Sequence, residues 1–123
     1  MLANLTPDLD LAARVFDALR ARTHDGVGIT REAYGEGERI AHEIVLAEGG
    51  TIGLEIATDH MGNRFLTLPG ADRAAPRVIV GSHLDSVTRG GNYDGAAGVV
   101  AGLAAVAGMA RAGFTPGRDV TVM

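Results

Sequence analysis

The 123-residue sequence contains no cysteine and no tryptophan, and aromatic residues make up only 4% of it. Without cysteine the chain forms no disulfide and performs no thiol chemistry, which is typical of cytoplasmic proteins. The N-terminal stretch MLANLTPDLDLAARVF lacks a basic region followed by an apolar run, so we expect no secretion signal. These absences together predict a cytoplasmic protein.

Basic clusters and long hydrophobic runs are also lacking. The chain has 11 Lys and Arg residues against 15 Asp and Glu residues, and the basic residues are scattered. A nucleic-acid-binding surface usually needs a basic patch, so that class is excluded. The uncharged run at residues 95–110 is short for a membrane span and consists largely of Ala and Gly, which favours a helix buried against a sheet.

Two segments near the N-terminus carry the apolar spacing of amphipathic helices. They are residues 8–22 and residues 36–48, and Gly49-Gly50 is expected to end the second helix. The apolar positions that define the first helix are Leu9, Ala12, Val15, Phe16 and Leu19.

A hairpin is predicted next. Residues 51–60 alternate in hydrophobicity and predict a strand, a turn follows at residues 61–63, and residues 64–68 predict its partner. The residues expected on the buried face of the first strand are Ile52, Leu54 and Ile56.

The last third of the chain reads as strand, helix and strand. The β-branched run Val78-Ile79-Val80 predicts a strand covered on both faces. A helix is predicted at residues 94–111, where Gly98 and Gly102 would allow close approach to the sheet, and RDVTVM begins another strand. Such a βαβ unit predicts an α/β fold with a partly parallel sheet. Because the sequence stops at Met123, inside a predicted strand, we expect a fragment of a larger domain.

Three side chains suited to metal binding surround the end of the buried strand. His83 and Asp85 follow that strand, and Asp94 lies across a short loop at the start of the next helix. Ligand sites in open α/β sheets form outside the carboxyl ends of the strands. Imidazole and carboxylate groups are ligands of zinc and similar ions, and a carboxylate can bridge two of them. Asp85 is placed to accept the second N–H of a metal-bound His83.

Structural explanations for the same residues stay open. Asp94 could be a helix N-cap, Gly90-Gly91 an ordinary turn, and His-x-Asp a structural pair. Ser82 and Ser86 flank the motif without a G-x-S-x-G elbow, which argues against a serine nucleophile. No nucleotide-binding motif is present. The remaining histidines are expected in solvated, partly packed or local turn positions; they are His24, His42 and His60.

The segment GSHLDSVTRGGNYDGAAGVVAGL closely resembles the metal-binding segment of the hydantoinase/carbamoylase-type amidohydrolases. This group includes N-carbamoyl-L-amino-acid hydrolases and allantoate amidohydrolases, within the dinuclear zinc aminoacylases and carboxypeptidases. The resemblance extends over about residues 28–123 and includes TREAY (residues 30–34), DHMGNRF (59–65) and LPGAD (68–72). It implies a three-layer α-β-α sandwich, of which this chain is an N-terminal portion without the dimerisation domain.

The resemblance also implies roles for the site residues. His83 would bind one metal, Asp85 would orient His83 as a catalytic residue, and Asp94 would bridge two divalent ions, either zinc or manganese, cobalt or nickel. The glycines that would let the loop fold around the metals are Gly90, Gly91 and Gly95. Asn63 and the TREAY residues match family positions, but no chemical role follows for them.

The activity implied is hydrolysis of a linear amide or ureido C–N bond by a metal-activated water, with an N-carbamoyl amino acid as substrate and a homodimer as the full-length form. The family's general base, a Glu-Glu pair just after the last strand, is absent from this sequence, so we expect no turnover by these residues alone. The alternatives are an allantoate amidohydrolase, a related metallo-aminoacylase or peptidase, or a truncated, non-catalytic metal-binding module.

Overall fold

The computed structural model describes residues 5–123, which form three helices and four strands. In chain order these are α1 (Leu9–Thr23), α2 (Glu36–Ile52), β1 (Glu55–Thr58), β2 (Arg64–Leu68), β3 (Val78–Val80), α3 (Ala96–Arg111) and β4 (Val120–Val122). Every predicted element is present in the predicted order. Residues 1–4, part of the stretch in which we expect no secretion signal, lie outside the described residues. Within residues 5–123, no helix has the length and apolarity needed to cross a membrane.

The four strands form one mixed sheet in the order β1-β2-β4-β3. β1 and β2 form the predicted antiparallel hairpin, and β2 pairs antiparallel with β4, placing Leu66 opposite Val122. β3 and β4 pair in parallel, with Val80 opposite Val122, and α3 connects them. The predicted βαβ unit and the α/β fold class are therefore confirmed.

All three helices lie on one face of this sheet. α2 and α3 contact each other and both contact the sheet, while α1 packs across the two of them. The core between these two layers is aliphatic and includes Val15, Leu19, Val45, Leu66, Leu103, Val106 and Val122. Residues 5–123 do not supply helices for the second face, which the three-layer sandwich requires.

α1 begins after Asp8, whose carboxylate accepts a hydrogen bond from the Leu11 backbone N–H at 2.9 Å. Its buried stripe runs through Leu11, Val15 and Leu19, which lie four residues apart. Leu9, one of the apolar positions that predicted this helix, is exposed and lies outside that stripe. Two residues correspond to about 200° of helical rotation, so Leu9 points away from the face that carries Leu11.

α2 continues four residues beyond its predicted end, through the glycine pair to Ile52. The helix ends instead at Gly53, which adopts a left-handed conformation with φ 85°. Gly49 lies inside the helix where it meets the sheet, and a Cβ at this position would approach Leu66 Cδ2 to 2.2 Å. This glycine is therefore a packing position and does not end the helix.

α3 begins at Ala96, two residues later than predicted, and lies close against the parallel strands. A Cβ on Gly98 would lie 2.7 Å from Ser82 Cβ, and one on Gly102 would lie 3.1 Å from Val80 Cγ1. The predicted role of these two glycines in helix-sheet packing is confirmed.

Two predictions of strand burial are wrong. Val78, Ile79 and Val80 are 49%, 55% and 37% exposed, because β3 is an edge strand and residues 5–123 leave the second face of the sheet open. β1 is confined to four residues and is exposed along its whole length, including Ile56. It is the other edge strand, so the alternating pattern marks a strand there without marking a buried face.

Candidate functional site

The candidate site lies in the loop that leaves β3 at its carboxyl end and leads to α3. His83 and Asp85 follow β3, and Asp94 lies two residues before the start of α3. Because α3 returns across the sheet to β4, the loop folds back over the end of β3 and brings these side chains together. This is the edge of an α/β sheet where ligand sites form.

His83 and Asp85 form a hydrogen-bonded pair in which the donor can be assigned. His83 Nδ1 lies 2.9 Å from Asp85 Oδ1 and 3.0 Å from the Asp85 backbone oxygen. A carboxylate and a carbonyl can only accept, so Nδ1 carries the proton and donates it. In the neutral ring, Nε2 then presents a lone pair, which is the form of imidazole that binds metals.

Asp94 faces that lone pair, with its Oδ1 4.0 Å from His83 Nε2. The helix-cap explanation for Asp94 is not supported, because Gly95 is the N-cap residue of α3 and no side chain caps the helix. The other carboxylate oxygen lies 3.5 Å from the Val87 backbone N–H. The Asp94 carboxylate is therefore available for a ligand.

The two facing atoms lie near the separation that a shared divalent ion needs. Zinc lies about 2.0–2.2 Å from nitrogen and oxygen ligands at tetrahedral angles, so two of its ligand atoms are about 3.4 Å apart. The 4.0 Å between His83 Nε2 and Asp94 Oδ1 exceeds this by about 0.6 Å, which a side-chain rotation would close. Within residues 5–123, however, no three His, Cys, Asp or Glu side chains form a group that could hold a metal ion. These residues offer two donors, and a complete site needs further ligands.

The loop glycines differ in how tightly they are enclosed. Gly95 has φ 64°, and a Cβ there would approach His83 Nδ1 to 2.4 Å. A Cβ on Gly90 would lie 3.0 Å from the Val87 side chain, whereas one on Gly91 would meet nothing within 4 Å. Gly95 is thus the glycine on which the position of His83 depends most directly.

The segment before Arg31 packs against this loop. Asp25 accepts hydrogen bonds from the backbone of Gly28 and Val27, both at 2.9 Å, and from the Thr30 hydroxyl at 2.6 Å. These bonds hold the pKa of Asp25 well below its usual range. The Thr30 hydroxyl in turn accepts from the Arg89 backbone N–H at 3.0 Å, which ties the segment to the site loop.

Arg31 is the residue that sequence reasoning missed. Its side chain is fully buried, and it donates to the backbone oxygens of Leu84, Asn92 and Asp94. The resemblance placed Arg31 in the TREAY stretch without a role. The spacing of hydrophobic residues does not indicate where an arginine will be buried. The role of Arg31 is therefore revealed only by its contacts in the fold.

A cleft of about 690 Å³ opens beside His83 and Asp85. Its opposite wall is formed by Glu38 and His42 of α2 and by Asn63 from the turn between β1 and β2. His42 is partly packed, as predicted, and burial lowers its pKa, an effect that the Glu38 carboxylate opposes. The cleft gives a small molecule access to His83.

Comparisons with known proteins show which proteins this chain resembles. Residues 63–123, which contain β2, the βαβ unit and the site loop, match the family described as Peptidase family M28. The N-carbamoyl-L-amino-acid amidohydrolase of Rhizobium meliloti is 35% identical over 119 residues, which cover 90% of this chain and 28% of that protein. The allantoate amidohydrolase of Bacillus subtilis (strain 168) is 39% identical over 79 residues, which cover 64% of this chain and 19% of that protein.

A solved structure shows the same likeness in three dimensions. The hydantoinase/carbamoylase family amidase from Burkholderia ambifaria superposes with a TM-score of 0.82 at 30% identity, over 96% of this chain and 29% of that chain. The chain thus spans less than a third of the length of each of these relatives.

Proposed function

Because the chain is related to the hydantoinase/carbamoylase-type amidohydrolases, we propose that the whole protein is a metal-dependent hydrolase of linear amide or ureido C–N bonds. The observation that carries the proposal is the pair of facing donors, His83 Nε2 and Asp94 Oδ1, 4.0 Å apart at the carboxyl end of β3. The preferred substrate class is the N-carbamoyl amino acids, since the Rhizobium meliloti relative matches over most of this chain.

The residues of this chain would supply some of the metal ligands and orient them. His83 and Asp94 would bind divalent ions, with Asp94 as the bridging carboxylate. Asp85 keeps the proton on His83 Nδ1, so that Nε2 stays free to bind. A bound divalent ion of this kind supplies Lewis-acid polarisation of the carbonyl and a water of lowered pKa.

The cleft beside His83 would admit the substrate. Its polar side chains include Glu38 and Asn63, which would hydrogen-bond a small molecule, and the rest of its lining is largely apolar. We extend the proposal to a cytoplasmic homodimer; the absence of cysteine supports the compartment, and the family resemblance supports the dimer.

An assay of the whole protein tests this function. The purified protein is stripped with a chelator, reloaded with Zn²⁺ or Mn²⁺, and given an N-carbamoyl-L-amino acid, allantoate, an N-acetyl amino acid or a dipeptide in turn. Release of the free amino acid from the first compound supports the proposal. Allantoate as the preferred substrate would assign the function of the Bacillus subtilis relative, and cleavage of the dipeptide alone would overturn the ureido assignment.

Replacing the bridging carboxylate should abolish function. In the whole protein, Asp94→Ala is expected to remove metal retention and hydrolysis together, because the carboxylate oxygens have no substitute at that position. Asp17→Ala, which changes an exposed aspartate of α1, is the matched control and should keep both. Metal content by mass spectrometry and the release assay are the measurements; normal metal content in Asp94→Ala would contradict the assignment.

The loop glycines provide a subtler test. Gly95→Ala should weaken Zn²⁺ binding by at least about tenfold, because the new methyl group would collide with His83 and turn it away. Gly91→Ala is the matched control and should bind Zn²⁺ within about twofold of the wild type, since a methyl group there meets open space. Isothermal titration of the chelator-treated protein with Zn²⁺ gives both values. Equal effects of the two substitutions would show that His83 does not depend on the close fit of Gly95.

A further inference from the structure

Arg31 lies beneath the site loop with its whole side chain buried. Its Nε donates to the backbone oxygen of Leu84 at 2.7 Å, and Nη2 donates to that of Asp94 at 2.9 Å and of Asn92 at 3.3 Å. Leu84 stands between His83 and Asp85 in the chain. One guanidinium group therefore connects the backbone at both ends of the loop, beside each candidate metal ligand.

The backbone of Arg31 is fastened to the same loop. Its N–H donates to Ser86 Oγ at 3.0 Å, and its carbonyl accepts from the Ser86 backbone N–H at 2.7 Å. Two residues earlier, Ile29 and Gly90 exchange backbone hydrogen bonds of 2.9 and 2.8 Å. Main chain and side chain together thus hold the loop from residue 84 to residue 94.

A buried arginine at this place needs a reason, because burying a cation is unfavourable. Burial lowers the pKa of Arg31, an effect that the carboxylates of Asp94 and Asp85 oppose. Nη1 finds no hydrogen-bond partner within residues 5–123, so the group is not held there merely to satisfy its own donors. The buried position is explained by the three hydrogen bonds that the Arg31 side chain donates to the loop.

We infer that Arg31 is the positioning residue of the metal site, setting the separation of His83 and Asp94 by bonding the backbone beside each. The inference rests on the proposed function, because it concerns the same site. Because its side chain is fully buried, Arg31 would act on the metal site through the loop. Lysine cannot replace it, since an ammonium group lacks the planar fork that reaches several carbonyl oxygens in fixed directions.

The test compares Arg31→Lys with two controls in the whole protein. Arg14→Lys makes the same change at an exposed arginine of α1 that pairs with Glu48. Leu19→Ala lowers stability through a fully buried side chain of the same helix that makes none of the hydrogen bonds of Arg31. Each variant is measured for Zn²⁺ affinity by chelator competition, for amide hydrogen exchange without metal, and for kcat and KM.

Arg31→Lys is expected to bind Zn²⁺ about 10- to 100-fold more weakly than the wild type, as when a group supporting a metal ligand is lost. In the metal-free protein, amides of residues 84–94 should exchange faster while those of α1 keep their rates. Activity should fall through kcat, with KM little changed. Arg14→Lys and Leu19→Ala should keep Zn²⁺ affinity within about threefold of the wild type.

Three results would overturn the inference or separate it from the proposed function. Zn²⁺ affinity of Arg31→Lys no lower than that of Leu19→Ala would reduce Arg31 to a stability role and overturn the inference. If Arg31→Lys does not fold, Arg31→Gln replaces it, because glutamine lacks the fork that reaches both Leu84 and Asp94; unchanged affinity there overturns the inference equally. A wild type that neither binds Zn²⁺ nor hydrolyses any of the compounds overturns the proposed function itself.

Discussion

Strands β3 and β4 are neighbours of equal length and nearly equal sequence, Val-Ile-Val and Val-Thr-Val, yet their environments are opposite. They pair in parallel and in register. The three residues of β3 are all exposed, whereas Thr121 and Val122 of β4 are fully buried. The strand with the more hydrophobic sequence is thus the one more open to solvent.

The difference follows from position in the sheet. β4 lies between β2 and β3 and beneath the helices, so its neighbours cover it on both sides. Among residues 5–123, β3 has a neighbouring strand on one side only. A β-branched run therefore specifies an extended backbone, while burial depends on which strands arrive next to it.

The largest expected effect on stability is at Val122, and it is compared with the effect at Val80, the residue paired with it in the neighbouring strand. Val122→Ala should lower the free energy of unfolding by about 2–3 kcal/mol, because it leaves a cavity under the helices. Val80→Ala, at the paired position, should cost less than about 1 kcal/mol, since its side chain is partly in solvent already. Urea unfolding followed by circular dichroism measures both. Equal losses would mean that β3 is covered in solution as well as β4.

A smaller effect is expected where α2 covers the inner strands. Gly49→Ala should destabilise the chain by about 1–3 kcal/mol, because its methyl group would collide with Leu66, which pairs with Val122. Gly50→Ala, the adjacent position, meets open space and should stabilise the helix by about 0.5–1 kcal/mol. The same unfolding measurement applies. A stabilising Gly49→Ala would show that the helix is farther from the inner strands than the structure places it.

The smallest effect concerns the polar residue that distinguishes the two strands. The hydroxyl groups of Thr121 and Thr67 are 2.9 Å apart and both residues are buried. Thr121→Val should cost about 1 kcal/mol, because the Thr67 hydroxyl loses its partner. Adding Thr67→Val should restore part of that loss, which a double-mutant cycle of unfolding free energies measures. Strictly additive losses would contradict a bond between the two hydroxyls.

The sequence predicted the fold well wherever the signal is local. The hairpin turn, the βαβ unit and the close approach of Gly98 and Gly102 are all confirmed. The predicted end of α2 was wrong. The space beside Leu66 leaves no room for a side chain, so the helix contains a glycine at that position and continues past it. The predicted burial of β3 was wrong, because burial depends on neighbouring strands, and these come from distant parts of the chain.

The residues of the candidate site also differ in whether local sequence predicts them. His83, Asp85 and Asp94 lie within twelve residues of one another, so the motif alone suggests that they meet. Arg31 is separated from the carbonyls it holds by 53 to 63 residues. No spacing rule connects residues so far apart, and only the packed fold shows that they belong to one site.

The sheet order has a consequence for synthesis on the ribosome. Strands β2 and β3 are made early but never touch, because β4, the last of the four strands to be made, separates them. The hairpin of β1 and β2 pairs as soon as it emerges, whereas β3 must wait for Val120–Val122 to leave the exit tunnel. Until then β3 has no strand partner among residues 5–123, so we expect the loop that carries His83 to take its form only after these residues are translated.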